Sequence, residues 1–118
     1  MVPTSLEIAK GFLGREVEII VDRPLATLHP EFGFVYEVNY GYIEGAKAPD
    51  GENLDAYFLG SDKPLRKAKG RVIAIVHRLN DDDDKLVVVA NGFDPENDKI
   101  KKFVDFQERW FDYEIVRI

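Results

Sequence analysis

Cysteine is absent from the 118 residues, and methionine and tryptophan occur once each. Without thiols, disulfide bridges, thiolate zinc sites and cysteine nucleophiles are all excluded. Histidine is almost as scarce, with only His29 and His77. Neither has a second histidine at ligand spacing, which weighs against zinc. His29 precedes Pro30 and reads as a solvent-facing or turn-capping residue, and His77, inside an apolar run, reads as a structural one. Ser5 and Ser61 lack a paired histidine and carboxylate, so no nucleophile triad is recognisable. No apolar run approaches the roughly 20 residues of a bilayer span. The start, Met1-Val2-Pro3-Thr4-Ser5, lacks the basic end and apolar stretch of a signal peptide. Repeats and low-complexity tracts are also missing. The expectation is one domain over residues 1–118, cytoplasmic, with no membrane partner.

What is present is apolar material and an uneven charge. With 45% hydrophobic and 12% aromatic residues, roughly two-thirds of the unfolded surface can be buried. The net charge is −6, from 16 Lys+Arg and 22 Asp+Glu. Asp50, Glu52 and Asp55 form one acidic segment, and Asp81 to Asp84 form another. Without those seven, 15 acids face 16 bases, a balance of +1. An acidic chain argues against non-specific nucleic-acid binding, which needs a basic surface to release counterions.

Local patterns predict mostly short strands. Thr4 with Glu7 resembles a capping box, and Leu6, Ala9, Phe12 and Leu13 follow at helical spacing up to Gly14. Glu16 to Asp22 reads as a half-buried strand, and Arg23 to Gly33 as a loop. Phe34 to Tyr42, bent near Gly41, and Leu54 to Leu59 read as strands. Arg71 to Arg78 and Lys85 to Ala90 read as a hairpin closed by the aspartate block. Asn97 or Asp94 caps a helix in which Ile100, Phe103, Val104, Gln107, Trp110 and Phe111 share one face. Trp110 and Phe111 are expected to pack that helix onto the body. Tyr113 to Ile118 is a last short strand. The predicted fold is mainly β with helices (α+β), a small OB-like or Greek-key barrel closed by the C-terminal helix.

The acidic segments admit two readings. Two unit charges about 4 Å apart cost roughly 1 kcal/mol in water and about 4 kcal/mol near a protein surface. A solvated turn tolerates that cost. Convergent carboxylates instead need cations, and hard divalent ions such as Mg²⁺ suit an all-oxygen set. Gly51 permits a bend that aims Asp50, Glu52 and Asp55 together. The spacing is not an EF-hand, because position six from Asp50 is Asp55 and position twelve is Ser61.

Asn39-Tyr40-Gly41-Tyr42-Ile43, followed seven residues later by Asp50-Gly51-Glu52-Asn53-Leu54-Asp55, resembles the family I soluble inorganic pyrophosphatases, with their NYGYI and DGDPxD blocks. Asp83-Asp84-Lys85-Leu86-Val87 resembles that family's D-x-K-L-V, and Phe106 to Phe111 its F-F-E-H-Y-K. The match runs in order from about Glu18 to Phe111. The resemblance implies Mg²⁺-dependent hydrolysis of pyrophosphate, with Mn²⁺ as an alternative ion. It implies Asp50, Asp55, Asp83, Asp81 and Glu18 as metal ligands. It implies Tyr40, Lys85 and Arg23 on phosphate oxygens, and Glu52 where the family has the aspartate that takes a proton from water. Trp110 and Phe111 align with the family's Tyr-Lys pair. A homo-oligomer is also allowed. Two alternatives stay open, a non-catalytic metal- and phosphate-binding relic of the fold and a hydrolase of another diphosphate. An OB-type nucleic-acid module needs basic residues interleaved with aromatics, but the Tyr40 to Phe58 region is acidic.

Overall fold

A computed structural model describes residues 4–47, 51–80 and 83–117. The elements are α1 (Ser5–Lys10), β1 (Glu16–Arg23), β2 (Asn39–Lys47), β3 (Asn53–Leu59), β4 (Lys67–Arg78), β5 (Lys85–Val89), α2 (Asn97–Glu108) and β6 (Tyr113–Arg117). The strands lie in the order β1-β2-β3-β5-β4-β6, and β1 pairs a second time with β4. That pairing closes β1, β2, β3, β5 and β4 into a five-stranded barrel, with β6 added on the outside of β4. Closure leaves few open edges. No helix among the described residues is long and apolar enough to cross a membrane.

Strand alternation puts apolar side chains on both faces. Leu54, Ala56 and Phe58 join Ile19, Ile43, Ile75, Leu86 and Val88 in a cluster drawn from all five barrel strands. This cluster fills the barrel, and Ala9 with partly buried Leu6 and Phe12 stops one end of it. Tyr57 and Leu59, one residue out of phase, join Val87, Val89, Ile100, Val104 and Phe106 on the outer face under α2. A bulge between Val72 and Ala74 turns Ile73 and Ala74 to that same outer face.

Several local expectations shift. The Thr4 hydroxyl does cap α1 by accepting from Glu7 N–H at 3.2 Å, but the helix stops at Lys10, capped by Gly11 rather than Gly14. Phe12 and Leu13 continue it only as tighter turns, bonded three residues back. Residues 34 to 38 do not join β2, which begins at Asn39. They fold back on the preceding loop through Ala26 N–H to Tyr36 O and Tyr36 N–H to Thr27 O, turning Phe34 and Tyr36 onto Phe106. The N-cap of α2 is Glu96, without a side-chain bond. Asn97 and Asp94 do not cap, because both accept from the Arg117 guanidinium. Trp110 and Phe111 lie past the end of α2 and stay 62% and 39% exposed. Phe106, which lay off the predicted face, is the aromatic that packs.

Gly41 shows why a glycine stands in Asn39-Tyr40-Gly41-Tyr42. A Cβ there would lie 1.9 Å from the Ile20 carbonyl oxygen, because β1 and β2 cross closely at the Val21–Gly41 pair. Backbone cannot yield as a side chain can. Gly41→Ala is expected to lower stability by about 3 kcal/mol or more, read as a drop in the urea midpoint. An unchanged midpoint would show that the two strands separate freely.

Candidate functional site

The parallel β3–β5 pairing is what assembles the site. It sets Asp55 opposite Lys85, on the face where Tyr57 and Val87 continue toward α2. The antiparallel β2–β3 pairing sets Tyr40 opposite Tyr57, and β1–β2 sets Arg23 opposite Tyr40. Four strands therefore deliver four of the anticipated polar residues to one end of one face.

Lys85 is only 3% exposed. Its Nζ donates to Asp55 Oδ2 at 2.7 Å and to Asp83 Oδ1 at 2.9 Å, and lies 5.8 Å from the centre of the Tyr40 ring. Asp55 and Asp83 keep partial access to solvent. They line a cleft of about 390 Å³ together with Asp22, Glu52 and Asp84. Gly51 adopts a φ of 85° just before Glu52, the left-handed bend that glycine permits. Arg23 bonds the Asp22 carbonyl through Nη1 at 3.3 Å.

Two anticipated ligands, Asp50 and Asp81, lie outside the described residues. Glu18 is not brought to the cleft. It is exposed in β1 opposite Lys69. The β1 carboxylate that lines the cleft is Asp22, four residues and about 13 Å further along the strand. Partial desolvation raises the Asp22 carboxyl pKa, the Arg23 charge opposes that, and the Asp55 charge adds to it. The signal for Asp22 was in the sequence as Val21-Asp22-Arg23, where attention falls on the arginine.

The aspartate block is not a uniform solvated turn. Asp84 is 1% exposed and accepts from the Ser5 hydroxyl at 2.7 Å and from Arg78 N–H at 3.0 Å. Its other close contact is His77 Nδ1 at 2.9 Å, which gives His77 the structural role its apolar setting suggests. His29 caps its turn, as Nδ1 accepts from the N–H groups of Glu31 and Phe32.

A second network backs the site. Arg78 grips Glu108 with Nε to Oε1 and Nη2 to Oε2, both at 2.9 Å, and reaches Asp83 with Nη1 at 3.3 Å. The Tyr57 hydroxyl donates to Glu108 Oε2 at 2.6 Å and accepts from the Gln107 amide at 2.7 Å. Burial disfavours the Arg78 cation, but the bonds and charge of Glu108 outweigh it and raise its pKa. Among the described residues no buried side-chain nitrogen or oxygen lacks a partner. Neither Arg78 nor Glu108 stood out in the sequence, since each reads as an ordinary charge at the end of an element.

The donor set decides what the cleft can hold. Its carboxylate oxygens are hard ligands, and two of them, from Asp55 and Asp83, already converge on one cation, the Lys85 ammonium. Among the described residues no group of three or more His, Asp or Glu is arranged to hold a metal ion. Mg²⁺, which usually takes one or two carboxylates and completes its shell with water and phosphate, suits that arrangement.

A family model described as inorganic pyrophosphatase matches residues 7–114. Among solved structures, the fold is similar to the inorganic pyrophosphatase from Ehrlichia chaffeensis, with a TM-score of 0.64 at 15% identity over 86% of this chain and 85% of that one. It is also similar to the inorganic pyrophosphatase from Helicobacter pylori, with a TM-score of 0.60 at 19% identity over 86% and 84%. The enzyme from Coxiella burnetii gives 0.59 at 19% identity over 80% and 76%. At these identities the likeness is one of fold. No curated protein sequence gives a significant match.

The tyrosines of the site carry a measurable consequence. Burial, then the charges of Asp55 and Asp83, push the Tyr40 phenol well above its ordinary value of 10.0. Burial and Glu108 do the same to Tyr57. Below pH 10 both phenols are neutral in either state, so stability is unaffected. Above it the unfolded chain ionises first, and stability falls by about 1.4 kcal/mol per pH unit for each tyrosine. Phenolate absorbance is expected to show two tyrosines that ionise only as circular dichroism reports alkaline unfolding. Their free titration near pH 10 in the folded protein would contradict this packing.

Proposed function

The chain belongs to the inorganic pyrophosphatase family of phosphoanhydride hydrolases, and we propose on that premise that it hydrolyses inorganic pyrophosphate to phosphate with Mg²⁺. The observation that carries the reading is the pair of salt bridges from the buried Lys85 ammonium to Asp55 and Asp83. It supplies a desolvated cation bound to two carboxylates that line one acidic cleft.

Asp55 and Asp83 would hold the ion, joined by Asp50 and Asp81 of the same acidic segments, with Asp22 rather than Glu18 as the β1 carboxylate. Bound Mg²⁺ lowers the pKa of coordinated water and offsets charge on phosphate oxygens. Glu52 accepts the proton of the attacking water. Lys85, which binds two of these carboxylates, would be the ammonium available to a phosphate oxygen if they held the ion. Arg23 adds a second positive charge, and the Tyr40 phenol, held neutral by burial, remains a hydrogen-bond donor at any working pH. Phosphoanhydride hydrolysis rests almost entirely on such positioning and charge stabilisation. The substrate is a free small molecule in the cytoplasm, consistent with a chain whose net charge of −6 disfavours nucleic acid.

Purified protein is expected to release phosphate from pyrophosphate with Mg²⁺ and to stop on addition of chelator. Asp55→Asn is expected to lower kcat on the order of 100-fold or more, and Glu52→Gln to lower kcat with little change in KM. Absence of phosphate release from folded wild type, with either Mg²⁺ or Mn²⁺, would refute the hydrolytic reading.

A further inference from the structure

Beside the carboxylate cleft, and sharing Asp83 with it, lies a larger cavity of about 680 Å³. Its walls are mostly rings: His29, Phe32, Phe34, Trp110 and Phe111. Phe32 is 75% exposed and Trp110 62% exposed. Covering either ring removes apolar surface from water, which is favourable. Tyr40 and Lys85 line the same cavity, and this is the Lys85 whose ammonium binds Asp55 and Asp83. One continuous surface thus runs from the carboxylates, past a single ammonium, into an aromatic bowl.

Inorganic pyrophosphate gives the rings of that bowl nothing to hold. Charged phosphates gain no burial against rings, and the faces of those rings carry negative potential. A planar ring system suits the walls better. His29 stacks on Phe32 with centroids 4.9 Å apart and planes at 29°, and Phe34 lies against Trp110 at 5.5 Å and 33°. The polar side chains at the border are already engaged. Gln107 bonds Tyr57 and Tyr36, and Arg78 bonds Glu108 and Asp83 while stacking on Phe111 at 3.7 Å. Such a bowl favours recognition through ring faces, tolerant of which base is presented.

We propose that the chain also takes diphosphate esters of a planar aromatic group, the nucleoside diphosphate class, with the ring in this cavity and the terminal phosphate at Lys85. The proposal rests on the phosphoanhydride reading of the adjoining cleft. In the reaction the water oxygen bonds to the terminal phosphorus, and the bond from that phosphorus to the bridging oxygen breaks. The bridging oxygen keeps the electron pair and stays on the nucleoside monophosphate. The water proton passes to Glu52 and then to solvent, and the second product is phosphate.

Trp110, the one tryptophan in the chain, is a reporter at the site. The full chain with Mg²⁺ is titrated with adenosine diphosphate, pyrophosphate or geranyl diphosphate, following Trp110 fluorescence and heat. Adenosine diphosphate is expected to quench Trp110 and to bind about tenfold tighter than pyrophosphate. Phe32→Ala, at a position 75% exposed and with its fold checked by circular dichroism, is expected to lower the preference for adenosine diphosphate over pyrophosphate by about tenfold, since stacking on one aromatic is worth about 1–3 kcal/mol. Equal weakening of both ligands, tighter binding of geranyl diphosphate, or a dimer in sedimentation that hides Trp110 would each overturn the proposal. Pyrophosphate hydrolysis without binding of adenosine diphosphate defeats this proposal alone. If neither ligand binds or is hydrolysed, the reading of the cleft fails and this proposal with it.

Discussion

Glu108 has no solvent exposure and Arg78 only 6%, so neither charge has water to fall back on. Each is stabilised by the other through two hydrogen bonds of 2.9 Å, and removing one partner from such a pair typically costs about 3–5 kcal/mol. Arg78 ends β4 and Glu108 ends α2, so the pair fixes the end of the helix against the barrel wall. Tyr57 shares the same carboxylate, and a further guanidinium nitrogen of Arg78 reaches Asp83. One buried ion pair thus joins the docked end of α2, whose apolar face packs on the barrel, to a carboxylate of the cleft that Lys85 also holds.

Around that pair the barrel works as a sorter of side chains. Its parallel β3–β5 ladder places Asp55 beside Lys85, and the same alternation sends Leu54, Ala56 and Phe58 into the interior. The charged end of the outer face passes without a break into its aromatic part, through Tyr40, Tyr57 and Tyr36 with ring centroids 4.9 and 5.5 Å apart. Lys85 stands on the boundary. A cation at that boundary can serve an anion on one side while rings on the other receive whatever the anion carries.

Much of this was legible beforehand. The runs Glu16 to Asp22, Leu54 to Leu59, Arg71 to Arg78 and Lys85 to Ala90 each became strands, because β-branched residues fit a pleated, half-buried surface. The positions of Tyr40, Asp55 and Lys85 could be read from ordered blocks. What misled was local pattern where tertiary partners intervene. Asp94 and Asn97 are good caps in isolation, but Arg117 arrives from β6 and takes both. Trp110 and Phe111 continue a helical stripe that the chain abandons at Glu108, while Phe106 turns inward to meet Phe34, Tyr36 and Tyr57. Glu18 and Asp22 share one strand parity, and only the length of β1 relative to the cleft separates them.

By itself the sequence determined the chemistry available: no thiols, few histidines, and acids gathered into two segments that suit hard cations. It also determined a β-rich body, since alternation and branching are properties of short stretches. Only the tertiary structure decided which carboxylates meet. Both Asp83 and Asp84 border the cleft, but Asp84 is buried on Ser5 and close to His77, while its neighbour Asp83 stays open to solvent and binds Lys85. Consecutive residues on an extended chain point opposite ways, and which way each points depends on the register of β5 between β3 and β4. Register is set by pairing across the barrel, over distances that no run of adjacent letters encodes.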